Sequence, residues 1–209
     1  MKLDIPVIGI LRGVEDDFFG EVMQTSFAAG LTALEITMNT PGAEKIVAKC
    51  RPAVPKGKLL GMGTIRNLEE AKRGVAAGAM FLVTPNLDLK VIEYARATGI
   101  PIVAGALTPT EVYAAWAAGA DLIKVFPCGA MGGPRYLKDL LGPFDQLKLV
   151  AVGGVTMANL GEYFAAGAAA VGVSTSLFGA VALKEKNPAR IGENVKNFLE
   201  HCRQTKDRV

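Results

Sequence analysis

Four copies of one short pattern constrain this chain more than any other feature. FAAGLTALEI, VAAGAMFLVT, WAAGADLIKV and FAAGAAAVGV each run from a helix end through Ala-Ala-Gly into a short apolar segment. Gly30, Gly78, Gly119 and Gly167 stand where a helix stops and a left-handed backbone costs least. The apolar runs that follow are too short for helices and suit strands buried in a parallel sheet. A repeated helix, stop and strand predicts βα architecture.

Adding the intervening apolar runs gives eight strands, at roughly 6–12, 32–38, 59–65, 80–85, 101–106, 122–126, 147–153 and 170–175. Their spacing of about 21 to 27 residues is that of a (β/α)8 barrel. The helical stretches between them include DDFFGEVMQTSFAAG, NLEEAKRGVAAG and TPTEVYAAWAAG, with Asn67 and either Thr108 or Thr110 as N-terminal caps. A doubly wound open sheet is the alternative, but eight even units without a GxGxxG turn favour closure. The 209 residues, half of them hydrophobic, contain no linker-like stretch, so residues 1–209 are expected to form one (β/α)8 domain. NPARIGENVKNFLEHCRQ reads as its last helix, ending near 203 before a short basic tail. The lone His201 reads as a surface residue.

Several function classes fall away on composition. The net charge of +3 comes from 23 basic and 20 acidic residues spread along the chain, which is no nucleic-acid footprint but suits an anionic metabolite. The N-terminal run lacks a signal-cleavage region and no segment approaches a membrane span, so a soluble cytoplasmic protein is expected. Cys50, Cys128 and Cys202 form no CxxC pattern, and Cys128 reads as a small packing residue. With one His, no HxH or HExxH, and no acidic cluster at the strand ends, a divalent metal site lacks ligands. Covalent amine chemistry needs none.

Two charges lie where a barrel should be apolar. Alternate strand residues face the lumen and the helix layer. In ALEIT, Leu34 and Ile36 share one face and leave Glu35 and Thr37 on the other. In LIKVF, Ile123 and Val125 share one face and leave Lys124 with Leu122 and Phe126. Glu35 and Lys124 are therefore expected to point inward near the carboxyl ends of strands two and six, where barrel enzymes place their chemistry. The plain alternative is a buried ion pair that neutralises itself, and burying either charge alone costs several kcal/mol. A desolvated lysine, however, has a lowered pKa and supplies the neutral amine that attacks a carbonyl. Lys124 then reads as the nucleophile and Glu35 as the proton shuttle.

The other strand ends, GMGT, VTPN, AVGGV and GVST, leave room for a small ligand. Gly153 and Gly154 after strand seven, with Ser174 and Thr175 ending strand eight, occupy the usual phosphate site of such barrels. A tight turn explains the glycine pair equally well. Arg12, in GILRGV, is placed near the same rim and suits a carboxylate or phosphate, unless it serves a surface salt bridge.

VIGILRG, LEITMNTP, GMGTI, FLVTPN, LIKVFP, GPFDQLKLVAVGGVT and VGVSTSLF together resemble the trimeric class I aldolases that cleave 2-keto-3-deoxy-6-phosphogluconate and 4-hydroxy-2-oxoglutarate to pyruvate. The E-x-T at Glu35 and K-x-F-P at Lys124 carry most of that resemblance. It implies a homotrimer that acts on a phosphorylated 2-keto acid through a Schiff base at Lys124, with Glu35 as general acid and base and no metal cofactor. It further implies that Arg12 and Thr64 contact the pyruvyl end, Pro85 and Phe126 shape the wall, and Gly153, Gly154, Ser174 and Thr175 hold the distal phosphate. Where many members carry arginine four residues after the glutamate, this chain has Asn39, which shifts the carboxylate contact towards Arg12. Asn39 with ILRG and VTPN resembles the branch acting on 2-dehydro-3-deoxy-6-phosphogalactonate. Two rivals remain: a phosphate-binding isomerase or synthase needing no strand-six lysine, and a non-catalytic barrel in which Glu35 and Lys124 pair.

Overall fold

A computed structural model of the chain describes residue 1 and residues 3–206. Its strands are β1 (Val7–Leu11), β2 (Ala33–Thr37), β3 (Leu59–Gly63), β4 (Leu82–Val83), β5 (Ile102–Ala106), β6 (Leu122–Val125), β7 (Leu149–Val152) and β8 (Ala170–Val173). Each pairs in parallel with the next, and β8 pairs with β1, so the sheet closes into a (β/α)8 barrel. The open-sheet alternative is thereby excluded.

Around the barrel run α1 (Asp16–Ala28), α2 (Ala43–Cys50), α3 (Leu68–Ala76), α4 (Leu89–Thr98), α5 (Pro109–Ala117), α6 (Pro134–Leu141), α7 (Leu160–Ala165), α8 (Thr175–Phe178), α9 (Ala180–Lys184) and α10 (Pro188–Lys206). Gly30, Gly78, Gly119 and Gly167 follow α1, α3, α5 and α7 with φ of 106°, 97°, 87° and 94°, the left-handed stops that the repeat requires. Asn67 caps α3 by accepting from the Glu70 N–H. At α5 the cap is Thr108, which forms a reciprocal capping box with Glu111, while Thr110 lies inside the helix.

The strands are shorter than the apolar runs suggest. β4 is reduced to two residues because Pro85 has no N–H to give, and Thr84 Oγ1 instead accepts the Gly105 N–H at 2.7 Å. β8 stops at Val173, so Thr175 begins α8 rather than ending a strand. Phe126 falls beyond β6 for the same reason: the ladder ends at Val125, before Pro127. At the other end α10 continues past 203 to Lys206, since neither glycine nor proline stands between Arg203 and Lys206. Asp207, Arg208 and Val209 of the expected basic tail lie outside the described residues.

Two apolar layers hold the barrel. Ile8, Ile10, Ala33, Phe81, Val83, Val103, Leu122, Val150, Val152 and Ala170 form the lumen cluster. Leu34, Ile36, Ile123 and Val125 belong instead to the outer layer, packed with helix residues such as Phe19 and Val91. Strand parity is therefore as the sequence predicts. At about 25 cal/mol per Å2 of apolar surface, each Val, Ile, Leu or Phe among them contributes roughly 1.5–3 kcal/mol when fully buried. That stabilisation offsets the cost of the two charged groups placed above the lumen cluster.

Candidate active site

Glu35 on β2 and Lys124 on β6 sit on diametrically opposite strands of the closed barrel, and both face inward. They are buried to 1% and 6% relative exposure. Burial pushes the Glu35 carboxyl up to about 7, against the opposing pull of the Lys124 and Arg12 charges. Burial likewise holds the Lys124 ammonium below its ordinary range, opposed by Glu35 and reinforced by Arg12. Desolvation dominates at both groups, so both gain access to their neutral forms nearer neutrality.

The simple ion-pair account of these charges fails. Lys124 makes no ion-pair contact with Glu35, and Glu35 Oε2 is buried with no hydrogen-bond partner among the described residues. Lys124 Nζ lies 4.9 Å from the centroid of the Phe126 ring instead. A buried carboxylate oxygen left unpaired costs on the order of 1–3 kcal/mol or more, a cost that structure alone does not reward. Both groups open onto one cavity of about 430 Å3, a size suited to a small metabolite.

That cavity brings together Arg12, Glu35, Thr64, Lys124, Phe126, Gly153, Gly154, Ser174 and Thr175. Pro85 and Asn39 do not line it. Pro85 follows the short β4, and its carbonyl carbon stands 2.5 Å from where a Cβ of Gly105 would be. Asn39 works one step removed from the cavity. Its Oδ1 accepts from Arg12 Nη1 at 2.8 Å, while Thr64 Oγ1 accepts from Arg12 Nη2 at 3.3 Å. Arg12 is thus neither a surface ion pair nor a loose side chain; two neutral acceptors fix the guanidinium and leave other N–H groups for a ligand.

Thr64 holds φ of 56°, a left-handed conformation that costs a branched residue on the order of 1–3 kcal/mol. The strain sits at a cavity residue that also touches Arg12. The loop that carries Arg12 is tied to the end of β2: Gly13 N donates to Thr40 Oγ1 at 2.9 Å, and Thr40 Oγ1 pairs with the buried Thr37 Oγ1 at 3.0 Å. The inward parity of Thr37 is evident in ALEIT, but nothing in the sequence signals Thr40.

At the far side of the cavity Gly153 and Gly154 have consecutive positive φ of 91° and 83°, a turn closed to other residues without strain. Gly153 O accepts from Gly129 N at 2.9 Å, whereas the N–H groups of Gly154 and Val155 have no acceptor among the described residues. Ser174, Thr175 and Ser176 line the opposing edge. Bare amides and hydroxyls without an acidic neighbour make an anion cradle. Ile10, Val152, Val155, Thr156 and Ser176 line the cavity in addition to the expected residues. Strand parity could have found Ile10 and Val152, which share the lumen face with Glu35 and Lys124.

Cys128 is fully buried, with Sγ 3.7 Å from Gly133 O, and burial pushes its thiol up to about 11. It packs rather than reacts. His201 lies half-buried on α10, away from the cavity lining. Among the described residues no group of three or more His, Cys, Asp or Glu could hold a metal ion, and no helix is long and apolar enough to cross a membrane.

Residues 3–194 match a protein-family model described as "Aldolase: KDPG and KHG aldolase". The 2-dehydro-3-deoxy-6-phosphogalactonate aldolase of Escherichia coli K12 is 34% identical over 197 residues, covering 94% of this chain and 96% of that protein. A solved structure described as native KDPGal superposes with a TM-score of 0.90 at 31% identity, covering 99% of this chain and 98% of the other. A KDPG aldolase from Legionella pneumophila, with pyruvate captured as a covalent carbinolamine, gives a TM-score of 0.86 at 29% identity over 93% of this chain and 94% of the other.

Proposed function

The chain belongs to the KDPG and KHG aldolase family, and on that premise we propose that Lys124 forms the Schiff base through which it cleaves a 2-keto-3-deoxy-6-phospho sugar acid to pyruvate and glyceraldehyde 3-phosphate. It is an aldolase, a carbon–carbon lyase. The observation that carries the assignment is the pair at the cavity floor: a buried lysine with a depressed pKa opposite a buried carboxyl whose Oε2 lacks a partner among the described residues.

The neutral Lys124 amine attacks the C2 keto carbon. Glu35 supplies and removes protons as the carbinolamine loses water, a step that requires a carboxyl able to hold either state near neutral pH. The protonated imine then draws electrons from the C3–C4 bond as Glu35, directly or through a water, takes the C4 hydroxyl proton. The aldehyde departs, and the remaining enamine is protonated and hydrolysed to pyruvate and free Lys124. With 4-hydroxy-2-oxoglutarate the same steps release glyoxylate.

Arg12 and Thr64 hold the pyruvyl carboxylate, Phe126 covers Lys124, and the Gly153–Gly154 turn with Ser174 and Thr175 takes the distal phosphate. Of the two phosphorylated epimers, the galactonate compound is favoured as a second reading by the relative of 34% identity. Asn39 beside Arg12 supports the same choice. A soluble cytoplasmic homotrimer completes the proposal, and exposed Tyr113 and Trp116, in ring contact with each other, offer an apolar patch for a second copy.

Borohydride reduction in the presence of pyruvate tests the central claim. A mass gain localised to Lys124 is expected, and full activity in Lys124→Ala would overturn it. Rates with the two epimers and 4-hydroxy-2-oxoglutarate then decide the substrate.

A further inference from the structure

The turn after β7 is held in shape by a residue outside the cavity lining. Asn159 Nδ2 donates to Gly154 O at 2.8 Å, and Asn159 Oδ1 accepts from Thr156 N at 2.8 Å. The two bonds fix the orientation of the amide, since Gly154 O can only accept and Thr156 N can only donate. One of them has a local explanation: a side chain reaching back three residues to a free N–H is common where a helix is about to start. The bond to Gly154 O has no such explanation, because it leaves the helix start and crosses to the glycine pair.

In a trans peptide the C=O and the N–H of the next residue point in opposite directions. Gly153 O is tied to Gly129 N, which turns the Gly154 N–H the other way. Gly154 O is tied to Asn159, which turns the Val155 N–H the other way. Neither N–H has an acceptor among the described residues, and Gly154 and Val155 both line the cavity. With φ of 83°, Gly154 has two wide basins open to it, so its peptide is free to rotate unless something holds the carbonyl.

We propose that Asn159 is a positioning residue for binding of the substrate's distal phosphate, acting by clamping Gly154 O so that the backbone N–H of Val155 faces the anion. The inference rests on the reading of this turn as the phosphate cradle. It assigns Asn159 no contact with substrate and no part in the chemistry at Lys124. Its predicted signature is a defect confined to phosphorylated ligands.

The test compares the wild-type chain with Asn159→Ala and Asn159→Asp. Alanine removes both bonds without adding charge, and aspartate keeps the acceptor for Thr156 N but loses the donor to Gly154 O. For each protein, KM and kcat are measured with the phosphorylated sugar acid and with 4-hydroxy-2-oxoglutarate, together with competitive inhibition by inorganic phosphate. Both variants should raise KM for the phosphorylated substrate and the phosphate inhibition constant by roughly three- to tenfold, the size of one lost hydrogen bond. KM for 4-hydroxy-2-oxoglutarate and kcat should stay within about twofold. Equal losses on both substrates would make Asn159 a general structural residue, and unchanged phosphate affinity in the variants would remove its role altogether. If wild-type protein itself neither prefers the phosphorylated substrate nor responds to phosphate, the cradle reading fails before Asn159 is reached.

Discussion

The Glu35 carboxylate lies directly against Gly63, the residue paired with Thr37 across β2 and β3, and a Cβ at position 63 would overlap the carboxylate itself. Gly63 is in an ordinary strand conformation, so alanine is acceptable to the backbone there, and the three atoms nearest to its Cβ all belong to the Glu35 carboxylate. Gly63→Ala should therefore keep the barrel and displace the carboxyl proposed as proton shuttle. A misplacement of about 1 Å costs on the order of a hundredfold in rate, and a fall in kcat of that order with a nearly unchanged melting temperature is expected. Retention of full activity would show that the carboxylate position does not matter.

The raised pKa of Glu35 makes an acid–base prediction about stability. An acid that ionises near 4.5 in the unfolded chain and at about 7 in the folded one favours folding fully below the lower value, and that contribution is lost as pH rises through the upper one. Glu35→Gln cannot ionise, so it should be the more stable protein at pH 8 and lose that advantage by pH 4.5. The shift corresponds to at most about 3 kcal/mol. Chemical denaturation of both proteins across this range measures it, and a difference that does not change with pH would contradict the assignment.

Cys128 should survive alkylation in the native protein. Its side chain is fully buried and burial lifts the thiol to about 11, so thiolate is scarce and unreachable at neutral pH. Iodoacetamide at pH 7.5 should leave activity intact and the Cys128 peptide unmodified by mass, with modification appearing only in denaturant. Rapid loss of activity with label on Cys128 would reverse the view of this residue as packing.

What was legible in the sequence follows from how few local choices a buried parallel strand allows. Within ALEIT and LIKV, two apolar residues on one face leave a single direction for Glu35 and Lys124, and that direction is the one found. The same parity holds one residue beyond the ladder: Phe126 lines the cavity beside Lys124 although β6 itself ends at Val125. Pro85 lies two residues past the end of the short β4 and does not line the cavity. Asn39 and Asn159 act through side-chain bonds to residues whose proximity depends on loop paths, and residue type alone does not encode those paths.

Arg12 and Asn39 can be separated by a double-mutant cycle. Replacing Arg12 with lysine keeps the charge but loses the planar fork that Asn39 and Thr64 now hold, so KM should rise by roughly ten- to a hundredfold. Asn39→Ala removes only one of the two acceptors and should raise KM by about three- to tenfold. Because Asn39 lies off the cavity lining, its effect must pass through the guanidinium. The double variant should then be scarcely worse than Arg12→Lys alone, since the acceptor has no fork left to orient. Steady-state kinetics on one substrate with all four proteins checks this. If Asn39→Ala costs the same factor in both backgrounds, Asn39 reaches the substrate by itself and is a direct contact rather than a support.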